Sequence, residues 1–158
     1  VKIAIGSDHG GFRLKKEILA FFQAQKEADA KLGQAEIIDL GTYSEASVDY
    51  PDFGEAVARG VAQGEYQYGI VVCGTGIGIS IAANKVQGIR CALCHETFSA
   101  RMAREHNDAN ILALGERVTG PGLAIDIVNA FFTTEFAGER HARRVDKLNK
   151  IGKSGCSC

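Results

Sequence analysis

No apolar run in this 158-residue chain is long enough to span a bilayer, and the opening Val1-Lys-Ile-Ala-Ile5 reads as a strand rather than a secretory leader. A surplus of either charge is also missing. Eighteen Lys and Arg stand against nineteen Asp and Glu, a net charge of -1 that argues against nucleic acid or a membrane surface as partner. Cysteine occurs five times, at 73, 91, 94, 156 and 158, an odd and irregular set unlike a secreted disulfide framework. Together these absences predict a soluble protein of the reducing cytoplasm.

Two nucleotide-binding signatures are lacking as well. Gly74, Gly76 and Gly78 spell GxGxG, but the dinucleotide fingerprint needs glycine at 79, where Ile79 stands. Gly152-Lys153-Ser154 imitates the end of a Walker A loop, yet Lys147 occupies the upstream glycine position. No linker or repeat interrupts the chain. One domain with a sizeable core is expected over 1–151, followed by a polar tail, 152–158, expected to be disordered.

What is present is an alternation of strand-like and helix-like segments. Val1–Gly6 reads as a buried strand, followed by the polar loop Ser7–Gly11 and a helix with Leu14, Ile18, Phe21 and Phe22 on one face. The polar, alanine-rich stretch from Gln23 to Ala35 continues that helix to an end near Gly33. Glu36–Leu40 is the next strand, and after a longer loop Pro51 opens a helix facing inward through Phe53, Val57 and Val61. Tyr50, just before it, either faces a ligand cleft or staples the helix.

Further strands are expected at Ile70–Val72, Ile89–Cys94 and Ile111–Leu114, with helices from Ile79 to Lys85, from Thr97 with Phe98, Met102 and Ala103 inward, and from Pro121 with Leu123, Ile127, Val128 and Phe131 buried. Such alternation predicts a single-domain α/β fold, a Rossmann-like three-layer sandwich around a parallel sheet of about five strands. The last helix, Glu139–Ile151, carries Val145, Leu148 and Ile151 on one stripe, which must cover either the domain itself or a partner subunit. Arg140 and Arg144, four apart, share a face and could clamp a phosphate.

The stretch richest in chemistry is Cys73-Gly-Thr-Gly-Ile-Gly78, between a strand and a helix. Loops at the carboxyl ends of parallel strands are where α/β proteins bind ligands, and glycines let backbone N–H groups approach an anion or oxyanion. Cys73 sets a thiol beside that cradle, which suggests a nucleophile or base; the plainer alternative is a tight turn around a buried cysteine. Asp8 and His9 occupy a comparable loop, where a helix cap and a surface imidazole are the competing reading. His106-Asn-Asp-Ala-Asn110 could handle hydroxyls or simply close a helix, and Arg117 places a further cation at a sheet end. Cys91-Ala-Leu-Cys94-His95 spells the haem-attachment signature, but on a strand the two thiols point to opposite faces.

Ser7–Phe12, Asp49–Phe53, Cys73–Lys85, His106–Asn110 and Gly138–His141, in that order, resemble the type B ribose-5-phosphate isomerases, a group that belongs with the galactose-6-phosphate and allose-6-phosphate isomerases. The resemblance implies an aldose-ketose isomerase that interconverts ribose 5-phosphate and ribulose 5-phosphate through an enediolate, with neither metal nor other cofactor. It implies Cys73 as the base; the glutamate that serves one branch would stand at Ile79. Thr75 would shuttle hydroxyl protons, the N–H groups from Gly74 through Gly76 and Ile77 to Gly78 would hold the enediolate, and His106 would open the sugar ring with Asp8 nearby. His9, Arg140 and Arg144 would bind phosphate. A homodimer with a shared site is implied, its C-terminal helix packing on the partner and His106, Asn107 and Arg117 arriving from the other chain. A six-carbon sugar phosphate, or a noncatalytic sugar-phosphate-binding module, is the alternative reading.

Overall fold

The computed structural model describes residues 1–28 and 30–151. The tail expected at 152–158 lies outside the described residues.

Five strands, β1 (Lys2–Ser7), β2 (Glu36–Asp39), β3 (Tyr68–Cys73), β4 (Cys91–Leu93) and β5 (Ile111–Gly115), form one parallel sheet in the order β2-β1-β3-β5-β4. Their side chains alternate between two cores, as the pleat requires. Ile3, Ile5, Ile70, Val72, Leu112 and Leu114 face one side, against α1 (Phe12–Glu27), α4 (Thr97–Asn107) and α5 (Pro121–Thr133). Ala4, Val71, Cys73, Ile111 and Ala113 face the other, against α2 (Tyr50–Ala62) and α3 (Ile77–Asn84). The three-layer α/β sandwich read from the alternation is therefore present. The last helix, α6 (Glu139–Lys150), packs on α4 of its own chain.

Several local expectations need correction. The first helix ends at Glu27 rather than near Gly33, and a separate 3-10 turn follows at Lys31–Gln34. Gly33 instead permits a close approach of backbone to backbone. A Cβ there would lie 2.5 Å from the Gln25 carbonyl oxygen, so glycine lets the chain fold back onto the last turn of α1. Helix α3 begins at Ile77, two residues earlier than the apolar run suggested. Phe98 is 61% exposed instead of inward, because the Glu96 carboxylate caps α4 through the N–H groups of Phe98 and Ser99 and thereby turns Ala100, Ala103 and Arg104 toward the core. Leu123, at 43% exposure, likewise lies off the buried Ala124, Ile127, Val128 and Phe131 stripe. On α6 only Val145 of the expected stripe is buried; Leu148 and Ile151 face outward.

One core residue had no signal in the sequence. Lys15 on α1 is wholly buried, with Nζ donating to Asp39 Oδ1 and to the Thr42 carbonyl oxygen, each at 2.6 Å. The ammonium group thereby ties α1 to the end of β2 and to the start of the loop before α2. Lys15→Met would keep the bulk of the stem but take the ammonium from the Thr42 carbonyl oxygen and leave Asp39 Oδ1 with the Gly41 N–H alone, so a loss of about 2 kcal/mol in folding stability is expected. Urea denaturation at unchanged m value checks this; an unchanged midpoint would contradict it.

Candidate active site

Because the chain winds from β1 outward to β2 and then returns to β3 on the other side of β1, the crevice between β1 and β3 is the topological switch point of the sheet. Asp8 and His9 follow β1 there, and Cys73–Gly78 follow β3. Strand β5 runs beside β3 with Cys73 opposite Gly115, so the residues after β5 join the same cluster. The Glu116 and Arg117 N–H groups donate to the carbonyl oxygens of Cys73 and Gly74, at 3.0 and 2.9 Å. A Cβ on Gly74 would lie 3.3 Å from the Arg117 guanidinium. Arg117 thus stands beside Gly74 of its own chain, contrary to the expectation that it comes from a partner; the β3–β5 pairing is the reason.

Cys73 is only 4% exposed, so its sulfur lies within the turn rather than projecting from it. Gly76, in the left-handed region at φ +76°, wraps the loop back so that its N–H reaches Sγ at 3.1 Å. The Ile77 N–H is engaged as well, donating to Thr75 Oγ1 at 3.3 Å on the exposed side of the loop. Two of the amides expected to line an oxyanion cradle are therefore directed at the protein's own sulfur and hydroxyl. Tyr50 lies against the first turn of α3, where a Cβ on Gly78 would come within 2.6 Å of its ring.

Asp8 is 7% exposed, and its Oδ1 has no hydrogen-bond partner among the described residues. Burial raises its pKa; His9, the Gly10 and Gly11 N–H groups and Arg117 offset part of that rise. His9 is held through Nδ1, which lies 3.2 Å from both the N–H and the carbonyl oxygen of Val48.

The remaining predicted residues form a second cluster. His106 stacks on His141 of α6 with ring centroids 4.2 Å apart and planes within 5°. Burial lowers the His141 pKa, and the positive charge of His106, Arg140 and Arg144 lowers it further against the opposing pull of Glu105. Asn107 ends α4 and Asp108 follows at φ +46°. His106 to Asn110 lead into the start of β5, whereas Cys73 stands at the end of β3; four residue steps from Gly69 to Cys73 separate the two edges, roughly 13 Å of strand. Among the described residues no hydrogen bond, ion pair or ring contact links His106, Asn107, Arg140 or Arg144 to Asp8 or Cys73. Within one chain the two clusters occupy opposite edges of the sheet. A cavity of about 740 Å³, lined in part by Asn84, Arg90, Asn107 and Asn149, lies at the edge that carries His106.

Residues 3–148 match the ribose/galactose isomerase family. The chain belongs to that family. It is 47% identical over 150 residues to ribose-5-phosphate isomerase B of Escherichia coli, with 95% of each chain covered. The fold is similar to that of a ribose-5-phosphate isomerase B from Clostridium thermocellum, with TM-score 0.90 and 57% identity over 97% of this chain and 98% of that one. It is also similar to the enzyme of Mycoplasma genitalium solved with bound ribulose-5-phosphate, with TM-score 0.87 and 39% identity over 98% and 97% of the two chains. As a member of this family the chain is an aldose-ketose isomerase.

The haem-like cysteines of this isomerase separate as strand geometry requires, Cys91 to the α2/α3 side and Cys94 to the other. Burial raises the pKa of both thiols, that of Cys94 to about 12, so neither supplies a thiolate at neutral pH. Arg90 and Arg104, which organise the second cluster, were missed in the sequence, and His141 was read there only as part of the Gly138–His141 block and given no role.

The raised pKa of Asp8 carries a stability cost. The folded state binds the Asp8 proton more tightly than the unfolded chain does, so charged Asp8 destabilises the fold above its folded pKa and the cost disappears below the ordinary value of 3.8. Asp8→Asn is therefore expected to raise the melting temperature at neutral pH, with the gain shrinking as pH falls toward 3.8. A gain independent of pH would assign it to packing instead.

Proposed function

We propose that this isomerase interconverts ribose 5-phosphate and ribulose 5-phosphate, with Cys73 as the proton-transferring base. The observation that carries the reading is the placement of the Cys73 sulfur at the switch point, with Asp8 and Arg117 around the same glycine loop. The thiolate takes the proton from C2 of the open aldose. The carbonyl oxygen at C1 then gains the negative charge of an enediolate, and return of the proton to C1 yields the ketose. Thr75, exposed above the sulfur, moves the hydroxyl proton from O2 to O1. With the Gly76 and Ile77 N–H groups turned to Cys73 Sγ and Thr75 Oγ1, the other amides of the Gly74–Gly78 loop and the Arg117 guanidinium supply positive potential to the enediolate, a contribution that costs about a hundredfold in rate when one donor is lost in other enzymes. The chemistry needs no metal.

Such a site also requires a group to open the furanose and a cation to bind the phosphate. His106, Arg140 and Arg144 have suitable chemistry and stand at the opposite edge of their own sheet, which supports a homodimer in which each site combines the Cys73 edge of one chain with the His106 edge of the other. His9 would complete the phosphate site. The exposed apolar Ile77, Ile81 and Phe98 provide surface for such pairing.

Three measurements test this. Cys73→Ala is expected to fold and to bind ribose 5-phosphate while losing nearly all turnover; full turnover would remove the thiol from the mechanism. Mixing unfolded Cys73→Ala and His106→Gln chains and refolding them together is expected to restore about a quarter of wild-type activity, because half the dimers are hybrids with one intact site. No recovery would place both residues in one chain's site. Turnover of ribose 5-phosphate against allose 6-phosphate, side by side, decides the sugar length; a preference for the hexose would replace the substrate and keep the chemistry.

A further inference from the structure

Helix α6 is attached to the body of the protein along a single stripe. His141 stacks on His106, Val145 is buried, and Asn149 accepts a hydrogen bond from Arg90 Nη1 at 2.9 Å. These three positions are spaced by four residues and share one face, so Arg140 and Arg144 are offset together to one side of the contact.

The same Arg90 guanidinium grips the end of α4. Its Nε donates to the carbonyl oxygens of Asn107 and Asp108 at 3.0 and 2.9 Å, and its Nη2 to the Asp108 carbonyl and carboxylate at 2.7 and 3.0 Å. Asp108 has a left-handed backbone, which a residue with a side chain adopts only when its surroundings hold it there. They do so from two sides: Arg104, buried, binds the other carboxylate oxygen at 2.7 Å. The backbone of Arg90 is fixed in turn, its N–H donating to Asn110 Oδ1 at 2.8 Å and its carbonyl oxygen accepting from the Asn110 N–H at 3.1 Å.

From this geometry we infer that Arg90 is a positioning residue for the isomerase, setting the His106 imidazole and the Arg140/Arg144 pair in one fixed relation by holding the end of α4 and the end of α6 with a single planar fork. The inference rests on the roles proposed above for His106 and the two arginines. A lysine carries the charge without the fork and cannot make the same set of contacts. Arg90 touches neither imidazole, so it acts through the two helices.

The four histidines allow a direct test by proton NMR of the imidazole ring signals, assigned with His→Gln variants. In the wild type the His106 and His141 signals are expected upfield of their free positions because of the stack. Arg90→Met is expected to move both toward free-imidazole positions while those of His9 and His95 stay, with Arg90→Lys in between. In kinetics with ribose 5-phosphate, Arg90→Met is expected to lower kcat and raise KM, for a combined loss of about tenfold to a hundredfold in kcat/KM. Asn149→Ala cuts only the link to α6 and is expected to raise KM severalfold with kcat near wild type. Unmoved His106 and His141 signals in both variants overturn the inference, as does a fall in kcat without change in KM for Asn149→Ala. Should Arg90→Met fail to fold, Asn149→Ala carries the test alone on both readouts. A released stack in an enzyme that never turns over a sugar phosphate supports the clamp and refutes the catalytic reading instead.

Discussion

The pairing of β3 with β1 on one side and β5 on the other is the constraint on which the site depends. Hydrogen bonding across those two ladders fixes which loops meet. Asp8 after β1, Cys73 after β3 and Arg117 after β5 are far apart in sequence and are brought together only because their strands are adjacent and parallel. A one-residue slip of β3 would turn Cys73 from the α2/α3 side to the other core and take the sulfur out of the crevice.

Around that frame the protein keeps several charges out of water, and each has a distinct reason. Lys15 meets two acceptors and Arg104 three, and both hold neighbouring segments in place. Asp8 is different, since one of its oxygens lacks a partner among the described residues and its charged form is disfavoured by burial. Unsatisfied polarity of this kind is retained where a ligand is to be met, at the expense of stability.

The layers of the fold were legible because β-branched runs and amphipathic helices alternate with clear punctuation from Pro51, Pro121 and the glycines. The glycine loop and Asp8 were legible for a related reason: strand-to-helix loops in a parallel sheet all emerge at one edge. The same rule places His106, in the last turn of the helix that leads into β5, at the opposite edge, and the alternation alone carries that information. Strand order was not available from the pattern, so the neighbourhood of Arg117 and Gly74 could not be read. Facing of Phe98 failed because the Glu96 cap places it on the exposed first turn of α4, and that of Leu123 because Ala124, Ile127, Val128 and Phe131 take the buried stripe of α5. Lys15 failed because a buried lysine looks like any solvated one in a one-dimensional string.

The attachment of α6 through positions 141, 145 and 149 bears on how this protein can vary over evolutionary time. Each added or deleted residue rotates the remainder of a helix by about 100°, so one indel between His141 and Asn149 would swing the downstream anchor onto the solvent side. Outward positions such as Asp146 and Lys147 can change identity freely, whereas the length of that segment cannot.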